Sequence, residues 1–232
     1  MASIKFMGGI GAMSGKIGAN VFSRNRSGAY VRGWAKPVNT NSARQQAVRA
    51  NMQALSSRWS TTLTVLQRAE WETYANAVLA VNRLGETIQL TGFNWYVGNN
   101  SVMLSAGGTI VDDGPAVLNK PDADSLYAVV VDEANQQLSV TFDDTRDWVN
   151  QDNAFMLVSM GTPVNPTRNF FASPYRIAGS IAGSSTVAPT SPATLPAPYA
   201  VQEGQKVFTQ ARIIEEDARV SQFFRDSGLV TA

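Results

Sequence analysis

The chain has 232 residues, 44% of them apolar and 16% charged, enough for one large domain or two small ones and too apolar for a disordered chain. It contains neither cysteine nor histidine, which excludes disulfides, thiolate chemistry, sulfur-ligated metals and every Ser-His or Cys-His relay. The net charge of +1 conceals an asymmetry: residues 1–69 hold three lysines and seven arginines and no Asp or Glu, so the front carries +10 and the remainder −9. Such a front seeks an anionic partner, whether nucleic acid, an acidic protein surface or the acidic half of a neighbouring copy.

The segment Gly8 to Lys36 is glycine-rich and contains Gly15-Lys16. A phosphate loop would follow that pair with Ser or Thr and place glycine five residues earlier; Ile17 and Ile10 stand there instead. Gly9-Ile10-Gly11 likewise fails the dinucleotide fingerprint, since no strand precedes it. The glycines suit an extended arm running close to another backbone. Ala19 to Arg24 and Ala29 to Lys36 read as the strands of a hairpin around Asn25-Arg26-Ser27-Gly28, and alternation sets Tyr30, Arg32, Trp34 and Lys36 on one face. Interleaved aromatic and cationic side chains can stack on bases and neutralise phosphates, or pack on protein through cation–π contacts. A two-stranded ribbon needs something to lie on, which favours protein over nucleic acid.

Ser42 with Gln45 forms a capping box, and Val48, Met52, Leu55 and Trp59 follow at helical spacing, predicting a helix over 43–59 with Arg44, Arg49 and Arg58 on its other faces. Thr64 with Gln67 opens a second helix whose apolar stripe is Trp71, Tyr74, Ala75 and Val78. Leu84 to Leu90 reads as a turn and short strand. Thr91 opens a third helix with Phe93, Tyr96, Val97 and Leu104 on one side, stopped by Gly107-Gly108.

Asp112 to Pro121 is turn-rich, and the hydrophobic period changes behind it. Leu126 to Val131, Gln137 to Phe142, Ala154 to Met160, Tyr175 to Ile181, Lys206 to Ile214 and Arg219 to Phe224 read as strands, with a weaker candidate at Thr186-Val187. Short strands without helical period predict a β-sandwich. Ala188 to Pro198 is too proline-rich for a central strand and reads as an exposed loop. The expected class is thus α+β: an arm and hairpin over 1–40, a helical module over 41–111, a linker over 112–124 and an all-β sandwich over 125–232. The acidic clusters Asp112-Asp113 and Asp143-Asp144 with Asp147 lack the spacing of a calcium loop and read as polar turns. No catalytic, cofactor-binding or metal-binding residue is expected. No apolar run approaches the roughly 20 residues of a membrane span, and the expectation is a chain made and folded in a cytoplasm without membrane contact.

Two sets of residues carry a resemblance. The run "SGKIGANVFSRNRSGAYVRGWAKPVNTNSARQQAVRANMQALSSRW", with "LTVLQRAEWETYA" and "RLGETIQLTGFNWYVGNN" after it, resembles the N-terminal module of virion-associated proteins of tailed phages. "QLSVTF", "AFMLVSM", "KVFTQARII" and "ARVSQFF" look like a fibronectin type III or immunoglobulin-like sandwich, which phage structural proteins often append. The resemblance implies a virion structural protein, homo-oligomeric, attached to the major capsid protein as a decoration or cement component, or else placed at the neck or tail. The expected docking surface is then Lys16, Phe22, Arg24, Arg26, Tyr30, Arg32, Trp34, Arg44 and Arg49. The runner-up is a nucleic-acid-binding protein using residues 1–69. A glycan-binding role through the loop Asn165 to Phe171 comes third, and an enzyme last.

Overall fold

The computed structural model describes residues 2–5, 12–36, 38–82, 84–172 and 174–232. The protein is mixed α+β, with three helices set against a seven-stranded sheet and a small four-stranded sheet at the N-terminal end. The small sheet has the order β1-β4-β3-β2, from β1 (Ala2–Ser3), β2 (Gly15–Ile17), β3 (Asn20–Asn25) and β4 (Gly28–Gly33), all antiparallel. The described ends of the arm thus lie as flanking strands of this sheet. Gly8, Gly9 and Gly11 lie outside the described residues.

Helix α1 (Ala43–Thr61) and α2 (Val65–Ala77) each begin in a complete capping box. At α2, Gln67 N donates to Thr64 Oγ1 at 3.2 Å and Thr64 N donates to Gln67 Oε1 at 2.8 Å. Two orphan N–H groups are satisfied at once, so the start of the helix is fixed locally. Strands β5 (Ala80–Val81) and β6 (Thr87–Ile88) pair as a short ribbon. Helix α3 (Gly92–Ala106) ends at Gly107, whose φ of 94° is the left-handed cap that glycine accepts without strain. It starts tight against α2: a Cβ on Gly92 would stand 2.7 Å from Glu72 N and 2.8 Å from the Trp71 carbonyl carbon.

The large sheet comprises β7 (Ala128–Asp132), β8 (Gln137–Thr141), β9 (Phe155–Gly161), β10 (Tyr175–Ala182), β11 (Ala193–Pro196), β12 (Lys206–Ile214) and β13 (Phe224–Thr231). Its order is β10-β9-β12-β13-β7-β8-β11, antiparallel except where β13 runs parallel to β7. The edge strands approach each other, with a Cβ on Gly179 falling 3.0 Å from Leu195, so the sheet is nearly barrel-shaped. Alternate residues of β7, β8, β9 and β12 fill the interior, including Val131, Leu138, Val140, Met156, Val158, Val207 and Ile213. Trp148, on a 3-10 turn before β9, packs among them against Phe142.

Three expectations about this sheet need correction. Ala188 to Pro198 is not wholly loop, because Ala193–Pro196 forms β11 on β8. It is an edge strand, where proline costs no interior ladder bond. The segment expected as a strand over 219–224 instead turns back after an isolated bridge between Ile214 and Val220, and the last strand begins at Phe224. Asp226 in its middle breaks the apolar alternation, yet it is satisfied there, since Val129 N donates to its carboxylate at 2.8 Å. Thr186-Val187 is a bend.

A second core joins the helices to the outer face of the sheet. Trp71, Tyr74, Tyr96, Val97 and Met103 pack with Leu157, Ile214 and Val220. The segment after α3 is laid down across this layer. Arg58 Nε and Nη2 donate to the two oxygens of Asp112 at 2.7 and 2.5 Å, Tyr96 OH donates to the same carboxylate at 3.1 Å, and Trp71 Nε1 donates to the Asp112 carbonyl at 2.9 Å. One residue thus ties all three helices to the start of the 112–124 segment.

Arg58 beside it holds the Asp112 carboxyl below its usual range, against the opposing effect of burial. A carboxylate depressed in the folded state contributes stability above its unfolded pKa of ~3.9 and loses it as pH falls through the folded value. Asp112→Asn should therefore cost about 1–2 kcal/mol at neutral pH, the lower part of the range because Arg58 stays partly solvated. Urea unfolding followed from pH 7 downward should show the gap between variant and parent closing as the pH falls below the usual carboxylate range. A gap that persisted unchanged in acid would contradict this account of the tie.

Candidate docking surface

The expected docking residues do not form one patch. Cross-strand partners share a face of a sheet, so the register Lys16↔Val21↔Arg32 puts Lys16 and Arg32 together, with Tyr30 two residues along. Trp34 lies just past β4, but its N–H still bonds Ala19 O at 2.7 Å, and Lys16 Nζ stands 4.3 Å above its ring. Lys16, Arg32 and Trp34 thus form one exposed cationic and aromatic group, with Trp34 58% exposed. Tyr30 is half-buried and faces a groove of about 400 Å3 against the β5–β6 ribbon.

Phe22 and Arg24 belong to the opposite face, where Phe22 pairs with Val31 and Gly15. Arg26 sits in the hairpin turn and is used internally: its Nε donates to Gln89 O at 2.8 Å, while Asn82 Nδ2 donates to Ser27 O at 3.2 Å. These bonds, with the ion pair of Lys5 and Glu86, seat the small sheet on the ribbon. Arg49 is also engaged, donating to Asn39 Oδ1 at 2.9 Å, so it organises the loop before α1. Arg44 is exposed on the first turn of the same helix.

The apolar stripe of α1 stands on the expected helix but is covered only in its second half. Val48, Met52, Leu55 and Trp59 recur at helical spacing, but only Leu55 is buried, with Trp59 half-buried against Phe93 and Tyr96. Val48 and Met52 are 52% and 43% exposed, because the first half of α1 extends past the end of the core. Every residue from Asn41 to Ala50 is exposed. Ile17 on β2 is 60% exposed, a feature that its strand position among glycines did not announce.

Chemically this surface is equipped for binding. It offers cations, an indole and bare apolar side chains. No Asp or Glu before Glu70 neutralises it, and the ion pairs it makes among the described residues reach Glu86 and Asp112. No group of three or more His, Cys, Asp or Glu stands together as a metal site among the described residues. The exposed half of α1 should contribute nothing to stability. Val48→Ala and Met52→Ala should each change the unfolding free energy by less than about 0.5 kcal/mol, whereas Leu55→Ala should cost about 2–5 kcal/mol. Denaturant titration of the three variants separates these outcomes, and a large loss at Val48 would mean that the stripe is covered within the monomer.

No known protein-family profile matches the sequence, and no curated protein is similar to it.

Proposed function

We propose that the chain is a structural protein of a tailed-phage virion, a decoration or cement component that docks on the capsid through its basic N-terminal part and projects its β domain outward. The observation that carries this reading is the continuous acid-free front, displayed on a sheet and a half-helix that have almost no core of their own. A monomer gains nothing from an apolar helical stripe left bare beside unpaired arginines. An acidic protein surface would cover the first and neutralise the second. A second copy of this chain, acidic in its remainder, has the same complementarity, which fits the homo-oligomer. The neck or tail is the alternative site on the particle.

The proposal takes the β domain as fibronectin type III or immunoglobulin-like. Lettered in chain order, β7, β8 and β11 take the places of strands A, B and E, and β10, β9, β12 and β13 those of C′, C, F and G. The strand ladder between the two halves holds two parallel pairs, Val131 with Val230 and Asp132 with Thr231, and so short a ladder supports treating them as two packed sheets. The disulfide of antibody domains has no counterpart in a chain without cysteine.

Mass spectrometry and electron microscopy of purified particles test the reading: the protein must be a stoichiometric component, with density at a fixed place. Trp34→Ala and Arg32→Glu remove the aromatic anchor and reverse a charge at an exposed position. Each should reduce incorporation into particles about tenfold while leaving the thermal midpoint unchanged. Binding to DNA at physiological salt should be weak. A submicromolar constant that weakened with Arg32→Ala and fell steeply with salt would replace the structural reading with a nucleic-acid one.

A further inference from the structure

A cleft of about 330 Å3 runs along the seam between α3 and the outer face of β12. Trp95 and Asn99, one turn apart on α3, line one wall with Gly98 and Val102; Arg212 of β12 and Phe223 line the other, and Lys120 also lines the cleft. The seam brings these residues together from four separated stretches of chain.

The cleft is rich in donors and holds no carboxylate. Trp95 Nε1, Asn99 Nδ2 and Arg212 Nε are all fully buried and have no hydrogen-bond partner, three of the six such side-chain atoms among the described residues. Asn99 as a whole is 4% exposed. Two of the lining side chains are cations. Arg212 places its guanidinium carbon 4.6 Å from the centroid of the Phe223 ring, and Lys120 places its ammonium 4.9 Å from that of Trp95 while donating to Leu79 O at 3.2 Å. A ring face offsets part of the charge, but it takes none of the in-plane N–H groups of the guanidinium. Burial alone pushes the Arg212 guanidinium down to about 10, and burial likewise lowers Lys120, with no acid opposing either change.

Buried donors normally have partners, and buried charges are normally paired. We propose that this cleft is a binding site for a small organic carboxylate with a flat apolar body, its oxygens held by Arg212, Asn99, Trp95 and Lys120 and its body lying against Leu90, Val102, Val220 and Phe223. The chemistry follows from the inventory. A carboxylate has two acceptor oxygens with about four lone-pair sites and no donor, which matches a cleft whose lining side chains Trp95, Asn99, Lys120 and Arg212 all carry donors and no acid. The walls around them are aliphatic and aromatic, and the volume lies at the small-molecule end of binding clefts.

Benzoate, with benzamide as its uncharged isostere, tests the site on the full-length protein by nitrogen–proton correlation spectroscopy. Benzoate should move the Trp95 indole and Arg212 Nε–H signals together along one saturable curve, with benzamide about tenfold weaker or silent. Arg212→Met should weaken benzoate about tenfold at the Trp95 signal. Shifts that rise linearly without saturation, equal binding of the two probes, or undiminished binding to Arg212→Met would each overturn the proposal. Should Arg212→Met fail to fold, Asn99→Asp decides in the same titration, since it keeps both cations and supplies a carboxylate from within. It should raise the thermal midpoint and abolish the benzoate response; benzoate binding as tight as in the parent would overturn the proposal.

Discussion

Strand β9 has no solvent-facing side. Met156, Val158 and Met160 point into the interior of the sheet, while Phe155 and Leu157 lie under the helices. A strand buried on both faces requires two layers, and the rest of the architecture follows from that requirement. Without the helical layer, Leu157 and Ile214 would form an apolar patch on an open sheet face. Helix α3 covers that face, and Asn100 then pins the chain that leaves it, donating to Val111 O at 3.0 Å and accepting from Val111 N at 2.8 Å. The chain reaches Asp112 in the one position where Arg58, Tyr96 and Trp71 can all meet it.

Burial falls away steadily from this seam toward the N-terminus. Helix α3 buries seven residues, α2 three, and α1 only Leu55. Beyond α1 the small sheet has no fully buried described residue and is held by polar contacts with the ribbon, each of modest net value at an exposed site. Stabilisation and positive charge therefore run in opposite directions along the chain. Where the core vanishes, Lys16, Arg32 and Arg44 stand in solvent, which screens their mutual repulsion. The same gradient that makes the front a weak part of the monomer leaves its surface free for an acidic partner.

What could be read from sequence was what is decided locally. Both capping boxes, the Gly107 stop and the hairpin turn at Arg26-Ser27 depend on residues within a few positions of one another, and each stands where the spacing puts it. β12 matches the range Lys206 to Ile214 because its alternation is long and regular. Tertiary context decided the rest. β11 escaped notice because proline argues against strands in general and only weakly against an edge. β13 escaped because its central Asp226 is satisfied by a partner almost a hundred residues earlier. The stripe of α1 was legible as a stripe, but its spacing says nothing about whether anything covers it. Of the docking residues, alternation correctly grouped Tyr30 with Arg32. It could not show that Arg26 and Arg49 are occupied by Gln89 and Asn39.

The two arginines near the end of β12 show how differently one seam can treat the same side chain. Arg219 is buried yet satisfied: Nε donates to Asp217 at 2.7 Å, one Nη donates to Asn119 at 3.0 Å and the other pairs with Glu215. All four residues lie on the loop after β12 or on the 112–124 segment, so the pairing is largely local and closes without help. Arg212, seven residues earlier, faces α3, a helix whose side toward it presents an indole, an amide and a valine and no acid. A partly buried guanidinium whose Nε has no partner costs stability, and replacing it with a hydrophobic residue of similar length would relieve that cost. The fold has the means to neutralise a buried arginine and does so at Arg219. That it leaves Arg212 beside two further unpartnered donors, in a cleft with room for a guest, is the physical reason to look for the missing anion outside the chain.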